Sequence, residues 1–286
     1  MARFLFLSCI VFVHTIVQIP AASAQDVPFV GTALYELGAG AGAAWFPHYP
    51  GSDQERLFAL PFPYFVYRGQ ILRSNREEGT RARFLRGKTY ELSLSLGGAF
   101  PVSSENNVAR EGMPDLGWIV EAGPKLRVNL IEFDDGGVFR FGVASRAVLT
   151  SQVAWTTEHH GTVYEIEFAF DRPRVIAEKF DLRMEFSSRW ATEGFQSYLY
   201  EVPARFANAG RPAYSASGGY LYSSLGTGIG YRTPSENHRF VVFGTVDSLA
   251  GAANVPSPLV KTQLNTTIAI AYITVLRRSD SKAVTE

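Results

Sequence analysis

The sequence predicts an all-β fold, a transmembrane antiparallel up-and-down β-barrel of about twelve strands. Three observations carry this expectation. Long segments alternate apolar and polar residues with period two, the pattern of a strand with one greasy and one wet face. Such segments follow one another with few helical patterns between them. Trp45, Trp118, Trp190 and Tyr231 stand at segment ends, where a half-buried ring with a wet polar atom suits the headgroup region. A soluble sandwich also alternates. Segments as long as Trp118–Leu130 instead match the roughly 9–11 residues of a tilted membrane crossing.

Composition narrows the field. Of 286 residues, 46% are hydrophobic and 19% charged, with mean hydropathy near zero, which excludes both a disordered chain and a bundle of membrane helices. Lys+Arg and Asp+Glu both number 27, so no charge excess favours nucleic acid. The N-terminus reads as a signal peptide, residues 1–24. Arg3 gives a charged start, Phe4–Ile19 an apolar core, and Ala22-Ser23-Ala24 a small-residue cleavage site. The single cysteine, Cys9, falls inside it, so the remaining chain has neither disulfides nor thiolate metal ligands. Residues 25–286 then form one barrel domain ending in a short polar tail, 277–286.

Taken in order, the expected strands are 34–46, 57–67, 71–85, 88–100, 117–130, 137–150, 161–172, 178–190, 196–203, 216–232, 238–249 and 262–276. Twelve is even, as bacterial single-chain barrels require. The third and ninth are poorly patterned, which leaves ten as the alternative. The first is rich in Gly and Ala and stops at "WFPHYPGSD". There Pro47 and Pro50 end the ladder and Gly51-Ser52-Asp53 turns the chain.

The polar faces carry charge. Leu182, Met184, Phe186 and Trp190 oppose Asp181, Arg183, Glu185 and Arg189. Leu126 and Val128 oppose Glu121, Lys125 and Arg127; Phe139, Phe141 and Val143 oppose Arg140 and Arg146; Ile166, Phe168 and Phe170 oppose Glu165, Glu167 and Asp171. If the apolar faces meet lipid, these charges line the lumen. Mixed signs on neighbouring strands can pair, giving a salt-bridged, mostly closed interior; the alternative is a selective pore with basic and acidic walls.

No catalytic constellation emerges. There is no G-x-S-x-G elbow and no HxxxH or HExxH. His159-His160 precedes Gly161 and reads as a solvated turn, and His48 as a loop residue. No metal, no cofactor and no enzymatic activity are expected.

Several motifs in order carry a family resemblance: "HYPGSD" after the Gly/Ala strand, "LPFPYFVYRG", "REGMPDLGWIVEAGPKLRVNL", "GRPAYSASGGYLYSSLGTGIGYR" and "AANVPSPLV". From about Gly38 to Tyr272 the chain resembles the MltA-interacting protein (MipA/OmpV) family. The resemblance implies a Gram-negative outer-membrane barrel. It also implies a non-catalytic scaffold linking a lytic murein transglycosylase to a penicillin-binding protein, with a small porin-like channel or surface adhesion protein as the alternative. The family defines no catalytic residues to carry over. One departure is the absence of a terminal aromatic residue: "AYITVLRR" is followed by a polar tail. With both termini in the periplasm, the expected strand order puts Pro47–Glu55 outside and Pro101–Gly117 in the periplasm. There Arg110, Glu111 and Asp115 would form a partner-contact surface.

Overall fold

The computed structural model describes residues 33–68, 72–75, 79–87, 89–151 and 157–281. The expected signal segment 1–24 and the end of the polar tail lie outside them. Among the described residues twelve strands follow one another: β1 Tyr35–Pro47, β2 Glu55–Arg68, β3 Leu72–Asn75, β4 Gly79–Arg86, β5 Tyr90–Ala99 and β6 Trp118–Glu132. Then come β7 Val138–Ser151, β8 Glu158–Arg174, β9 Phe180–Ala191, β10 Gly219–Arg232, β11 His238–Ser248 and β12 Leu264–Arg278. Each pairs antiparallel with its chain neighbours, and β12 pairs with β1, closing the barrel.

The count matches the expectation, but through two compensating differences. The expected third strand, 71–85, is two short strands, β3 and β4, paired through Asn75 and Gly79. The expected ninth strand, 196–203, is largely a helix, α1, Glu193–Tyr200. Its Tyr198, Tyr200 and Val202 alternate as in a strand. The deciding spacing is Phe195 to Leu199 and Gln196 to Tyr200, four apart, which puts all four on one buried helical face. Glu193 in the first turn suits the helix N-terminus.

Odd-numbered strands run toward one end of the barrel, called here the cap end. It carries the long connections 48–54, 100–117, 192–218 and 249–263. The opposite end carries the short connections 133–137 and 233–237, and there Tyr35 and Ser279 meet in a backbone hydrogen bond. This corrects the placement of Pro101–Gly117. It follows the fifth strand, not the fourth, and so lies at the same end as Pro47–Glu55.

The outer surface is apolar. Leu225, Ile229, Val242, Ile268 and Ile270 are all exposed on it, an arrangement that only lipid makes favourable. Trp190 and Phe180 bound this band on β9. At ~3.3 Å per residue and a tilt of ~40°, the interval is roughly 25 Å high, the height of such a band in outer-membrane barrels. Rings stack along the short-turn margin, Phe180 on Tyr231, Tyr231 on Phe240 and Phe240 on Tyr272. At the cap margin Trp45 donates its indole N–H to Glu55 across the β1–β2 hairpin.

Inside, the small residues of β1 have a specific reason. A Cβ on Gly40 would stand 2.5 Å from the Phe62 ring and 2.9 Å from the Tyr272 carbonyl oxygen. The inward face of β1 is thus a track on which Phe62 of β2 lies. Around it Ala44, Val241, Ala269 and Ala271 form an apolar cluster with Phe46 and Phe243. One side of the lumen, β11–β12–β1–β2, is therefore lined by packed apolar residues.

Candidate functional site: the charged lumen and its cap

The other side of the lumen, β6 to β9, is a ladder of alternating charge. Each member comes from the inward register of its strand, so the period-two pattern alone aims all of them at one another. Nearest the cap, Arg146 of β7 donates through Nε to Glu121 of β6 (3.0 Å) and through Nη2 to Glu165 of β8 (2.6 Å). Arg189 of β9 reaches the same two carboxylates, Glu165 at 3.0 Å and Glu121 at 2.8 Å. The contact from β9 to β6 skips two strands, so it runs across the concave interior rather than along the wall.

One layer down, Lys125 of β6 bridges Glu167 at 2.7 Å and Glu165 at 3.3 Å. Below that, Asp171 of β8 takes Arg140 and Arg183, and Arg183 also grips Glu185 at 2.7 Å. The column ends near the short turns with Asp181 and Arg232 of β10. Arg146, Asp171, Asp181 and Arg183 are all buried. In such surroundings an isolated charge is prohibitively costly and persists only when paired. The sequence-predicted lumen residues Glu121, Lys125, Arg140, Arg146, Glu165, Glu167, Asp181, Arg183, Glu185 and Arg189 thus all stand in one column, as three successive ion-paired groups. Arg127 stands on the same strand and inward register as Lys125, opposite Glu91 of β5.

Sequence reading missed a second cluster. Glu36 of β1 accepts from Arg239 of β11 (3.0 Å) and from the Tyr64 hydroxyl of β2 (3.0 Å), and Arg239 also donates to Tyr64. A lone acid beside a Gly/Ala run and a lone Arg beside Phe240 gave no period to recognise. Only the closure of β12 on β1 makes them neighbours.

The cap has its own core. Tyr49, Val102, Leu116, Phe195, Leu199 and Tyr200 pack together with Ile119, Val148, Val163 and Leu221 of the strands, so the loops are seated on the barrel mouth. Buried polar groups lock them. The Tyr49 hydroxyl donates to the Leu259 carbonyl (2.8 Å), and the Tyr200 hydroxyl to that of Pro50 (2.9 Å). Asn254 donates to Gln196 (2.6 Å), and Gln196 to the Gly219 carbonyl (2.8 Å). Burial raises the pKa of Tyr49, Tyr198 and Tyr200, so all three stay neutral; the Tyr198 hydroxyl accepts from the Gly117 N–H (2.6 Å).

Of the expected partner-contact residues, Arg110 is 3% exposed and cannot present itself to a partner. Its Nη1 donates to the Leu199 carbonyl (2.9 Å) and its Nη2 to that of Pro114 (3.2 Å), stapling the 100–117 loop to α1. Burial lowers its pKa, chiefly by desolvation. Asp115 accepts from the Ser104 N–H (2.7 Å), an internal loop contact, while Glu111 is exposed. His48 is held by Asn107, whose amide donates to Nδ1 at 3.0 Å. An amide nitrogen only donates, so Nδ1 carries no proton. Desolvation, with Arg56 nearby, lowers the His48 pKa. His160 lies at the start of β8, its ring 4.4 Å from that of Tyr198.

Comparison with solved structures finds folds of similar extent at low similarity. A bacterial polysaccharide outer membrane secretin is 9% identical with TM-score 0.35, covering 85% of this chain and 99% of its own. The Pseudomonas putida toluene transporter TodX is 6% identical with TM-score 0.34, covering 87% and 92%. A Pseudomonas aeruginosa FadL homologue is 7% identical with TM-score 0.25, covering 86% and 91%. No curated protein matches significantly. The sequence matches the family described as MltA-interacting protein MipA over residues 39–274, most of its length. Matched over more than half of its length, the chain belongs to the MltA-interacting protein MipA family.

Proposed function

We propose that this chain is an outer-membrane barrel that works as a non-catalytic scaffold for murein synthesis, binding a lytic murein transglycosylase and through it a penicillin-binding protein. The observation that carries the non-conducting half of this reading is the lumen. A charge ladder that crosses from β9 to β6 and loops seated on the mouth leave interior groups bonded to one another rather than to a transported solute. The family's name supports the partner class.

If the short turns and the termini face the periplasm, as in outer-membrane barrels, the cap faces outward. The partner surface then lies among the short turns, Phe133–Gly137 and Thr233–Asn237, and not on 100–117. The test has two arms. Protein reconstituted in planar bilayers should show no stable single-channel steps. Affinity capture from native envelopes should recover a murein transglycosylase, and replacing Asp134, Asp135 and Glu236 by Ser should weaken that capture. Stable conductance without captured murein enzyme would replace this reading with the small porin-like channel.

A further inference from the structure

The 48–54 turn is where the cap meets the barrel mouth, and each neighbouring connection is fastened to it separately. α1 reaches it through the Tyr200 hydroxyl on the Pro50 carbonyl. The 249–263 connection accepts from the Tyr49 hydroxyl at Leu259 and donates the Lys261 N–H to the Gly51 carbonyl (2.7 Å). Asn265 of β12 accepts from the Gly51 N–H (2.6 Å) and donates to the Ser52 carbonyl (2.8 Å). None of these bonding groups changes charge between pH 5 and pH 7.5.

The 100–117 loop is fastened through a group that does. Its buried Asn107 donates through Nδ2 to His48 Nδ1 (3.0 Å) and to the Ser52 Oγ (3.3 Å), and the Val108 N–H donates to the Gln54 side chain (2.6 Å). The orientation of the Asn107 amide is fixed from both sides. Its Oδ1 caps the short 3-10 helix Val108–Arg110 by accepting from the Arg110 N–H (3.2 Å). The Ser52 hydroxyl donates its proton to the Gln54 carbonyl (3.0 Å), so toward Asn107 it can only accept. Flipping the amide would set oxygen against oxygen at Ser52 and donor against donor at Arg110. His48 therefore faces a donor that cannot turn into an acceptor, and a proton on Nδ1 opposes it.

The charges around the ring act in the same direction. Arg56 of β2 disfavours a second cation at His48. Arg110 of the 100–117 loop lies over the adjacent Tyr49 ring, 5.9 Å from its centroid. Asp53 of the turn and Glu55 of β2 are exposed, and Glu55 is held by the Trp45 indole.

We propose that His48 and Asn107 form an acid-released latch: protonation of the ring unfastens the 100–117 loop from the barrel mouth while the 192–218 and 249–263 connections stay in place. The loop is then held by Arg110 on Leu199 and by Arg211 on Ala109 and Glu111, and it opens more often. The latch goes beyond the scaffold reading and is independent of it, because the proposed partner surface lies at the opposite end of the barrel.

The chain carries its own reporter. Met113 of the loop is 8% exposed and packs with Ala109, Val202 and Leu259, whereas Met184 is 47% exposed on the lipid face. Peroxide converts an accessible methionine to its sulfoxide. The full barrel in liposomes is oxidised at pH 7.5 and at pH 5, with free methionine as the rate reference, and mapped by mass spectrometry. For a ring that titrates near 6.5 once released, the open fraction rises by at most about 30-fold between these values. Met113 oxidation should accelerate several-fold at pH 5, with Met184 unchanged. His48→Asn keeps an acceptor for the Asn107 amide without a titrating ring and should abolish the acceleration. Asn107→Asp keeps the cap on Arg110 and accepts from a protonated ring, so it should abolish it too. The gel shift on boiling verifies that each variant is folded, and either variant alone decides. Equal Met113 oxidation at both pH values in the unaltered protein would overturn the latch. Acceleration that persists in a folded variant would overturn it as well, since acid would then act through other groups.

Discussion

Glu165 is the most connected carboxylate of the lumen, and Glu165→Gln measures what the ladder contributes. The substitution keeps size and shape but removes the charge. Arg146 at 2.6 Å, Arg189 at 3.0 Å and Lys125 at 3.3 Å lose a shared anion, at a site whose side chain is 11% exposed. Breaking a buried pair by removing one partner costs about 3–5 kcal/mol. Here each cation keeps a second anion: Arg146 and Arg189 keep Glu121, and Lys125 keeps Glu167. The lower end of the range, about 3 kcal/mol, is therefore expected. Urea unfolding from liposomes, followed by tryptophan fluorescence and by the gel shift on boiling, reads the change as a shifted midpoint at constant slope. The loss should persist in 1 M salt, because buried pairs are screened little. A loss below about 1 kcal/mol, the range of exposed pairs, or one erased by salt, would refute the reasoning. Either result would mean that water and ions reach the ladder, as in a conducting pore.

The other expectations are more local. Gly40→Leu forces a side chain into the space of the Phe62 ring and should destabilise by about 1–3 kcal/mol or more; Phe62→Ala in the same chain should recover part of this in the same unfolding assay. Removing Ser103–Asp115, the stapled part of the 100–117 loop, should open the cap end and raise ion conductance above the silent parent in planar bilayers. Tyr49→Phe leaves the buried Leu259 carbonyl without its donor, at about 1–3 kcal/mol, seen as faster amide exchange in 249–263 with the strands unchanged. His48 has a lowered pKa, so the fold favours its neutral ring. Its contribution is full above the ordinary histidine value of about 6.5 and falls as pH drops through that value toward the lowered one. Exchange in 48–54 and around Asn107 should accelerate at pH 5 relative to pH 7.5, and His48→Asn should flatten the dependence.

What the sequence disclosed follows from where period two is strict. In β6 to β9, Leu, Ile, Phe and Met alternate with Arg, Lys, Glu and Asp, because one face meets lipid and the other a packed ladder. A one-residue slip would put charge into lipid, so register is legible there. In β1, β2 and β12 the inward face is Gly, Ala, Phe and Ile, and both faces read as apolar. The Glu36–Arg239–Tyr64 cluster and the Gly40–Phe62 fit were invisible for that reason. The cap was the least legible part. Its arginines bond to carbonyls, as Arg110 does with Leu199 and Pro114, and no spacing in the chain encodes a carbonyl.

The two misread segments show how little sequence separates a right count from a wrong geometry. Splitting 71–85 into β3 and β4 adds a strand before the 100–117 loop, and turning 196–203 into α1 removes one after it. The sum is unchanged, so an even count alone cannot detect either. In an up-and-down barrel, however, the parity of the preceding strands fixes which end each loop occupies. Every connection between the two differences therefore changes end, from 100–117 to 192–218. That places Arg110, α1 and Tyr49 together, and it is why they can share one core.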